Sequence, residues 1–300
     1  MTLIGIEPHV AMFIQPERLV PSAWTGHVPF AAWLIAMARP NVLVELGAHF
    51  GMSYAAFCQT VDAEQLPTRC YAVDTWQGDP HCGTYGEDVY QDLARFNDRR
   101  FAGFSQLMRT SFDEAAASFA DGSIDLLHID GLHTYEAVRH DFETWLPKLS
   151  ARATVLFHDT AVRGNGFGVW RYWSELAPAY PHFAFDHASG LGVLQVGRDI
   201  PAGLTRLFEL NQDAEGVRRV KEIFSALGDA VVQRHVLEGA CGPDRAQALA
   251  SIELQARALT AANRALTRRL VEAEATMQRL VGSLSWRVTR PLRAVRGLFN

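Results

Sequence analysis

Short apolar segments alternate with amphipathic ones over the first two thirds of this chain, and several of the apolar segments end in a polar residue or a glycine. Apolar runs of this length are typical of buried parallel strands, and the amphipathic segments between them are typical of helices. Strands that alternate with helices favour a parallel sheet with helices on both faces. We therefore predict an α/β fold with a doubly wound, mostly parallel sheet.

The pattern predicts strands and helices at definite positions. The predicted strands are 41–46, 70–73, 106–109, 124–129 and 154–157, with a closing antiparallel pair at 182–185 and 192–196. The predicted helices are 29–37, a helix capped by Ser53, 87–96, 112–119, 135–146 and 167–176. In such sheets, ligands bind outside the carboxyl ends of the strands. Four predicted strands end there in Glu45-Leu46-Gly47, Asp74, Asp130 and His158-Asp159, which favours an enzyme.

The C-terminal part follows another pattern. From Leu249 to Leu284, apolar residues recur in alternating steps of three and four, which is the heptad pattern of a coiled coil. Asn263 falls in one apolar column, where a buried Asn often fixes register and favours two strands. The alternative is a single amphipathic helix packed on the body. A coiled coil would make the protein a homo-oligomer.

Charge is unevenly distributed along the chain. The net charge is −5, whereas residues 244–300 hold ten Arg, no Lys and four acidic residues, which gives +6 and leaves −11 for residues 1–243. The last segment, 285–300, has four Arg and no acidic residue. It is interpreted as a peripheral contact with an anionic membrane, and the alternative is a solvated tail. We expect no nucleic-acid partner, because no recognised binding fold accompanies the charge.

These features divide the chain into five parts. They are an N-terminal cap at 1–40, an α/β domain at 41–200, a helical connector at 201–243, a coiled coil at 244–284 and a basic amphipathic tail at 285–300. The four cysteines form no CxxC pair, and no signal peptide opens the chain. We expect a cytoplasmic protein, with peripheral attachment to the inner face of the plasma membrane through the tail.

The loop after the first predicted strand is suited to a cofactor. Gly47 and Gly51 allow the backbone to approach a ligand, and the helix start near Ser53 offers N–H groups to a carboxylate. His49 occupies the second glycine position of the dinucleotide pattern, which disfavours an NAD-dependent dehydrogenase. Asp74, at the end of the next strand, can accept hydrogen bonds from ribose hydroxyls, and Trp76 could stack on an adenine. The alternatives are a turn cap for Asp74 and core packing for Trp76.

Four blocks of sequence resemble one methyltransferase family. They are Glu45-Leu46-Gly47 through Gly51, Asp74 through Asp79, His128 through Tyr135, and Phe157 through Thr160. The family is the class I S-adenosylmethionine-dependent one found beside or fused to bacterial glycosyltransferases. It is more distantly similar to macrolide-sugar O-methyltransferases and cephalosporin-hydroxylase-like proteins. The resemblance implies a Rossmann-like fold in which Glu45, Gly47 and Gly51 contact S-adenosylmethionine and Asp74 binds its ribose.

The glycine loop after the first predicted strand and the family resemblance together predict a set of cofactor-binding residues. They are Glu45, Gly47, Ala48, Gly51, Ser53, Asp74, Thr75, Trp76 and Asp130. A divalent cation, Mg²⁺ or Mn²⁺, is predicted at Asp130, His158 and Asp159, since the first and last of these close neighbouring strands. The macrolide-sugar enzymes use carboxylates at positions matching Asp130 and Asp159, and His158 stands where they carry a third acidic ligand. The alternative is that both carboxylates anchor loops.

His133 is the candidate general base, because an imidazole titrates near neutral pH, and Asp130 is the second catalytic candidate. We therefore predict an O-methyltransferase, metal-assisted, acting on a sugar hydroxyl of a bacterial surface glycan or its precursor. One alternative is a non-catalytic coiled-coil scaffold of a polysaccharide-assembly complex. Another is a natural-product O-methyltransferase.

Overall fold

The computed structural model describes residues 5–81 and 83–239. Nine strands lie in this part: β1 Val42–Leu46, β2 Arg69–Asp74, β3 Gly78–Asp79, β4 Gly83–Thr84, β5 Ser105–Arg109, β6 Ile124–Ile129, β7 Leu149–His158, β8 His182–Phe185 and β9 Leu191–Gln195. Seven of them form one sheet in the order β5-β2-β1-β6-β7-β9-β8, and β3 pairs with β4 in a separate hairpin. The first five strands of the large sheet are parallel, and β9 runs antiparallel to both β7 and β8. The prediction of a doubly wound, mostly parallel sheet is confirmed.

The α-helices of the described residues are α1 Val28–Ala38, α2 Met52–Ala63, α3 Glu87–Arg100, α4 Phe112–Ala116, α5 Tyr135–Trp145, α6 Val169–Leu176, α7 Thr205–Glu209 and α8 Ala214–Gly239. Short 3-10 turns lie at Val10–Phe13, Ala23–His27, Leu146–Lys148, Ala177–Ala179, Ala202–Leu204 and Leu210–Gln212. Within 5–81 and 83–239, no helix has both the length and the apolar character needed to cross a membrane. The chain divides at His235 into two compact units, and only residues 236–239 of the second are described. The predicted coiled coil and basic tail lie outside the described residues.

Both faces of the sheet are buried, as its apolar strands predict. Leu43, Leu126 and Leu156 lie in the core cluster of α1, α2 and α8. Their neighbours Val44, Leu127 and Val155 lie in the cluster of α4, α5 and α6 on the other face. Helix α1 is apolar around its circumference and almost wholly buried, which is typical of an internal helix.

The strand order changes direction at β1, because β2 lies on one side of it and β6 on the other. Ligands of doubly wound sheets bind at this switch point. Two backbone hydrogen bonds tie the strand ends together here: Gly47 N–H donates to the Val73 carbonyl, and Asp130 N–H to the Leu46 carbonyl, each at 2.9 Å. The topology therefore places the loops after β1, β2 and β6 side by side.

Several predicted boundaries are corrected. Strand β7 begins at Leu149 rather than 154, because its first residues are partly exposed and hide the apolar pattern. The N-cap of α2 is Gly51, with φ +77°, and Ser53 lies inside the first turn. Helix α4 ends at Ala116, whereas α3 extends to Arg100. The hairpin of β3 and β4 occupies a stretch in which no strand was predicted.

Candidate active site

A cavity of about 530 Å³ opens at the carboxyl ends of the central strands, a volume typical of small-ligand sites. Of the predicted site residues, the lining includes Gly47, Ala48, Ser53, Asp74, Thr75, Asp130, His133, His158 and Asp159. It does not include Glu45, Gly51 or Trp76. The polar residues that end the parallel strands thus surround one cavity.

Asp74 anchors the loop that follows β1. Its Oδ2 accepts hydrogen bonds from the N–H groups of Ala48 at 3.0 Å and His49 at 2.9 Å. Its Oδ1 accepts from Trp76 N–H at 2.7 Å. A carboxylate offers about four acceptor positions, so Asp74 can still accept a hydrogen bond from a ligand. Asp74 therefore acts as a loop anchor, and its position also suits contact with a ribose.

The two glycines of the loop after β1 are required by different packing contacts. Gly47 has φ +90°, and a Cβ there would lie 2.1 Å from the Asp130 carbonyl oxygen. Gly51 has φ +77°, and a Cβ there would lie 2.3 Å from the Leu93 side chain. Gly47 therefore allows two strand ends to meet at the cavity, whereas Gly51 allows α3 to pack on the start of α2. The predicted cofactor contact of Gly51 is not seen in the cavity lining.

Trp76 is placed in the core rather than against a ligand. Its side chain is 1% exposed and packs edge-on against Tyr90, with ring centroids 5.0 Å apart. Its indole N–H donates to the His49 carbonyl at 3.0 Å. The predicted adenine stacking by Trp76 does not fit this position, because the indole is buried on all sides. The aromatic side chains that line the cavity are Phe50, Tyr85 and Phe112.

Glu45 lies behind the cavity wall. Its carboxylate is fully buried, and Oε1 lies 2.8 Å from His128 Nδ1. Burial raises the pKa of Glu45 above its ordinary value, although His128 and Ser53 act in the opposite direction. Ser53, which neighbours this carboxylate, lines the cavity.

His158 is held by hydrogen bonds on both ring nitrogens. Its Nδ1 lies 3.1 Å from Asp130 Oδ1, and its Nε2 lies 3.1 Å from the Ala188 carbonyl oxygen. A carbonyl and a carboxylate only accept, so the ring donates at both nitrogens and carries a positive charge. Burial opposes that charge, but the carboxylates of Asp130 and Asp159 outweigh it and raise the pKa of His158 to about 10. No ring lone pair is left for a metal, so this geometry does not suit the predicted ligand role of His158.

The described residues that could hold a metal together are Asp130, His133 and Asp159. Each offers one ligand atom, and the three atoms lie within 4.8 Å of one another. His133 thus takes the place that was predicted for His158. Two carboxylates with one imidazole suit Mn²⁺, Fe²⁺ or Zn²⁺ better than Mg²⁺.

The His133 ring is fixed by its neighbours. Its Nδ1 lies 3.3 Å from Asp159 Oδ2. The Phe167 ring stacks on it with centroids 4.7 Å apart and planes 14° apart, and the His81 ring lies 5.6 Å away at 6°. Its carbonyl accepts from Gly168 N–H at 2.7 Å. When Nδ1–H donates to Asp159, Nε2 keeps its lone pair and can accept a proton.

Two parts of the cavity wall were missed by the sequence reasoning. Pro21, Ser22 and Ala23 line the cavity, although none of the predicted site residues lies in the N-terminal cap at 1–40. Ser111 and Phe112 line it at the start of α4. Ser111 forms a capping box with Glu114, and this Ser-x-x-Glu signal was readable in the sequence.

The comparisons with known proteins agree with this site. Residues 44–160 match the sequence family described as "Methyltransferase domain". The matched residues begin within β1, end just after β7, and include Glu45, Asp74, Asp130 and Asp159. This part of the chain is therefore similar to a methyltransferase domain, as the sequence predicts.

Individual relatives add little about activity. An uncharacterised protein of Sinorhizobium fredii, y4gI, is 48% identical over 220 residues, which are 73% of this chain and 24% of that protein. The chain therefore spans about a quarter of the length of this relative. A methyltransferase of Podospora anserina with bound S-adenosylhomocysteine is 13% identical, with a TM-score of 0.44 over 59% of this chain and 88% of that one. The O-methyltransferase TomG of Streptomyces achromogenes, solved with S-adenosylmethionine, is 12% identical, with a TM-score of 0.44 over 64% and 92%. Similarity this low carries no inference about function.

Proposed function

We propose that the chain is an S-adenosylmethionine-dependent O-methyltransferase. The observation that carries this proposal is Asp74, which ends β2 beside the Gly47 loop and retains acceptor capacity toward the cavity. A carboxylate in that position suits the two hydroxyls of a ribose. The match of residues 44–160 to a methyltransferase domain supports the same activity.

The order of the strands suggests how the cofactor lies. With the ribose at Asp74, the adenine would extend toward Phe112, which follows β5, and the methionyl group toward Ser53 and Asp130 at the ends of β1 and β6. Phe112 offers an aromatic face to the adenine. This would leave His133, which follows β6, and Asp159, which follows β7, to meet the acceptor.

The charge of the cavity suits this cofactor. S-adenosylmethionine carries a sulfonium and an ammonium group against one carboxylate, so its net charge is positive. The wall holds the carboxylates of Asp74, Asp130 and Asp159, while His158 supplies one positive charge. Opposite charges attract strongly in a cavity of low dielectric constant.

Methyl transfer then needs alignment and one proton acceptor. When bound, S-adenosylmethionine would supply the methyl group, whose carbon would bond to the acceptor hydroxyl oxygen as the sulfur–carbon bond breaks. His133 Nε2 would take the hydroxyl proton. Asp159 holds the imidazole in the required tautomer through Nδ1, as the carboxylate does in a catalytic triad.

A divalent cation is the second route to the same chemistry. Asp130, His133 and Asp159 would hold it, and its Lewis acidity would lower the pKa of the acceptor hydroxyl. In that case His133 serves as a ligand. Methyltransferase activity that survives treatment with a chelator favours His133 as the general base. Activity that a chelator removes and Mn²⁺ restores favours the metal-assisted route.

The methyl acceptor, the oligomeric state and the cellular location of the protein are proposed from its sequence. The resemblance to glycosyltransferase-associated enzymes favours a sugar hydroxyl of a bacterial surface glycan or its precursor. The heptad pattern from Leu249 to Leu284 favours a homo-oligomer, and the four Arg of 285–300 favour a peripheral membrane contact. A scaffold that binds the cofactor without turnover and a natural-product O-methyltransferase are the competing functions.

Calorimetric titration with S-adenosylhomocysteine tests the proposal, using the wild-type protein and Asp74→Ala. We expect micromolar binding to the wild type and a loss of about 100-fold or more in the variant, since three backbone N–H groups and the ribose lose their acceptor. Asp121→Ala, which removes an exposed partner of Lys148, is the matched control. A folded wild-type protein that does not bind S-adenosylhomocysteine would rule out the proposed enzyme.

A further inference from the structure

A chain of buried hydrogen bonds links the N-terminal segment to β1. Trp24 Nε1 lies 3.2 Å from His128 Nε2, and His128 Nδ1 lies 2.8 Å from Glu45 Oε1. All three side chains are at most 1% exposed. Trp24 follows Pro21, Ser22 and Ala23 in the chain, which line the cavity, whereas Glu45 lies two residues before Gly47.

The directions of these hydrogen bonds are fixed by chemistry. An indole N–H can only donate, so His128 Nε2 must accept. The ring proton of His128 is therefore on Nδ1, which donates to Glu45. His128 thus joins the Trp24 indole to one oxygen of Glu45, Oε1.

These hydrogen bonds reach only one of the two oxygens of the Glu45 carboxylate. Its second oxygen, Oε2, is buried and has no hydrogen-bond partner among residues 5–81 and 83–239. Asp130 adds a second negative charge nearby. A buried carboxylate with an unpaired oxygen is costly unless something completes it. The adjoining wall residue is Ser53, at the end of the cavity proposed for the methionyl group.

We propose that Trp24 and His128 are positioning residues that hold the Glu45 carboxylate behind Ser53, at the end of the cavity where the ammonium group of the bound cofactor would lie. This inference rests on the proposed function. It extends the cofactor site to Trp24, which lies outside the residues matched by the methyltransferase domain. In this arrangement the segment 21–24 has two roles. It lines the cavity through Pro21, Ser22 and Ala23, and through Trp24 it strengthens binding of the amino-acid part of the cofactor.

Two ligands and two Trp variants test this positioning. S-adenosylhomocysteine carries the ammonium group, whereas 5′-methylthioadenosine shares the adenosine and the thioether but lacks the amino-acid part. Trp24→Phe keeps a ring and removes the indole N–H. Trp33→Phe is the matched control, because Trp33 is equally buried and its N–H donates at 2.7 Å to the Glu7 carbonyl, away from Glu45.

We expect Trp24→Phe to weaken S-adenosylhomocysteine binding about tenfold, with 5′-methylthioadenosine unchanged within about twofold and both ligands unchanged in Trp33→Phe. Equal losses for both ligands, or no loss for S-adenosylhomocysteine, would overturn the inference while leaving the proposed function intact. If Trp24→Phe does not fold, as judged by circular dichroism, His128→Phe is measured by the same criteria. A wild-type protein that binds neither ligand removes the proposed function and this inference together.

Discussion

The two ends of the cavity are built from different parts of the chain. At the β2 end (Gly47, Ala48 and Asp74), the wall is mainly backbone, held by hydrogen bonds to one carboxylate. At the β7 end (His133 and Asp159), the wall is made of side chains, held by stacking of Phe167 on His133 and by the 3.3 Å contact of His133 Nδ1 with Asp159 Oδ2. A backbone wall suits a ligand that does not vary, whereas side chains can be exchanged to suit different acceptors. The comparison predicts that changes at one end leave the function of the other largely intact.

The largest expected effect is at the β7 end. His133→Gln keeps a polar side chain but removes the proton acceptor, so we expect methyl transfer to fall about 10²- to 10⁴-fold. Binding of S-adenosylhomocysteine should stay within about twofold of the wild type. The assay is transfer of a radioactive methyl group to a panel of free and nucleotide-linked sugars. His140→Gln, at an exposed pair with Asp113, is the control. Loss of cofactor binding in His133→Gln would contradict the division into two ends.

An intermediate effect is expected at the β2 end. Gly47→Ala places a Cβ 2.1 Å from the Asp130 carbonyl oxygen in a left-handed conformation. Gly122→Ala has a left-handed φ of +69° with no atom within 4 Å of its Cβ, so it measures the conformational cost alone. We expect destabilisation of about 3 kcal/mol for Gly47→Ala and about 1 kcal/mol for Gly122→Ala, by urea denaturation. Equal losses of unfolding free energy in the two variants would show that the ends of β1 and β6 can move apart to accept the Cβ.

The smallest effect concerns Phe167. Phe167→Leu removes the flat ring that stacks on His133 but keeps an apolar side chain, so we expect kcat to fall about threefold to tenfold with unchanged cofactor affinity. Phe112→Leu, at the other end of the cavity, should lower the cofactor affinity and leave kcat unchanged. Steady-state kinetics measures kcat, and calorimetry measures the cofactor affinity. A fall in cofactor affinity for Phe167→Leu would mean that the ends are coupled.

The sequence allowed the fold and the strand-end residues to be predicted, because both depend on local patterns. Asp74, Asp130 and Asp159 each follow an apolar run, and this spacing alone brings them to one edge of a parallel sheet. The roles of Trp76 and His158 were harder to predict. Nothing local tells whether an aromatic ring after a strand points to the core, or which acceptors surround an imidazole.

The N-terminal part of the site was missed for a related reason. Trp24 and His128 are 104 positions apart, so no sequence window contains both. Ser22 caps the turn that holds Trp24, and this local signal was present. It indicated a turn but not the strand that the turn would meet.

These long separations also bear on the order in which the molecule assembles. The Ala188 carbonyl accepts from both His27 and His158, and the first of these contacts joins residues 161 positions apart. During synthesis, the segment around Trp24 and His27 leaves the ribosome before these partners, so the Trp24 hydrogen bond must wait for residue 128 and the His27 hydrogen bond for residue 188. Contacts between distant residues form slowly, since a long loop must close before they can stabilise anything. The wall of the cavity that is made first is therefore expected to be among the last to become ordered, and nascent chains shorter than this should not retain the cofactor.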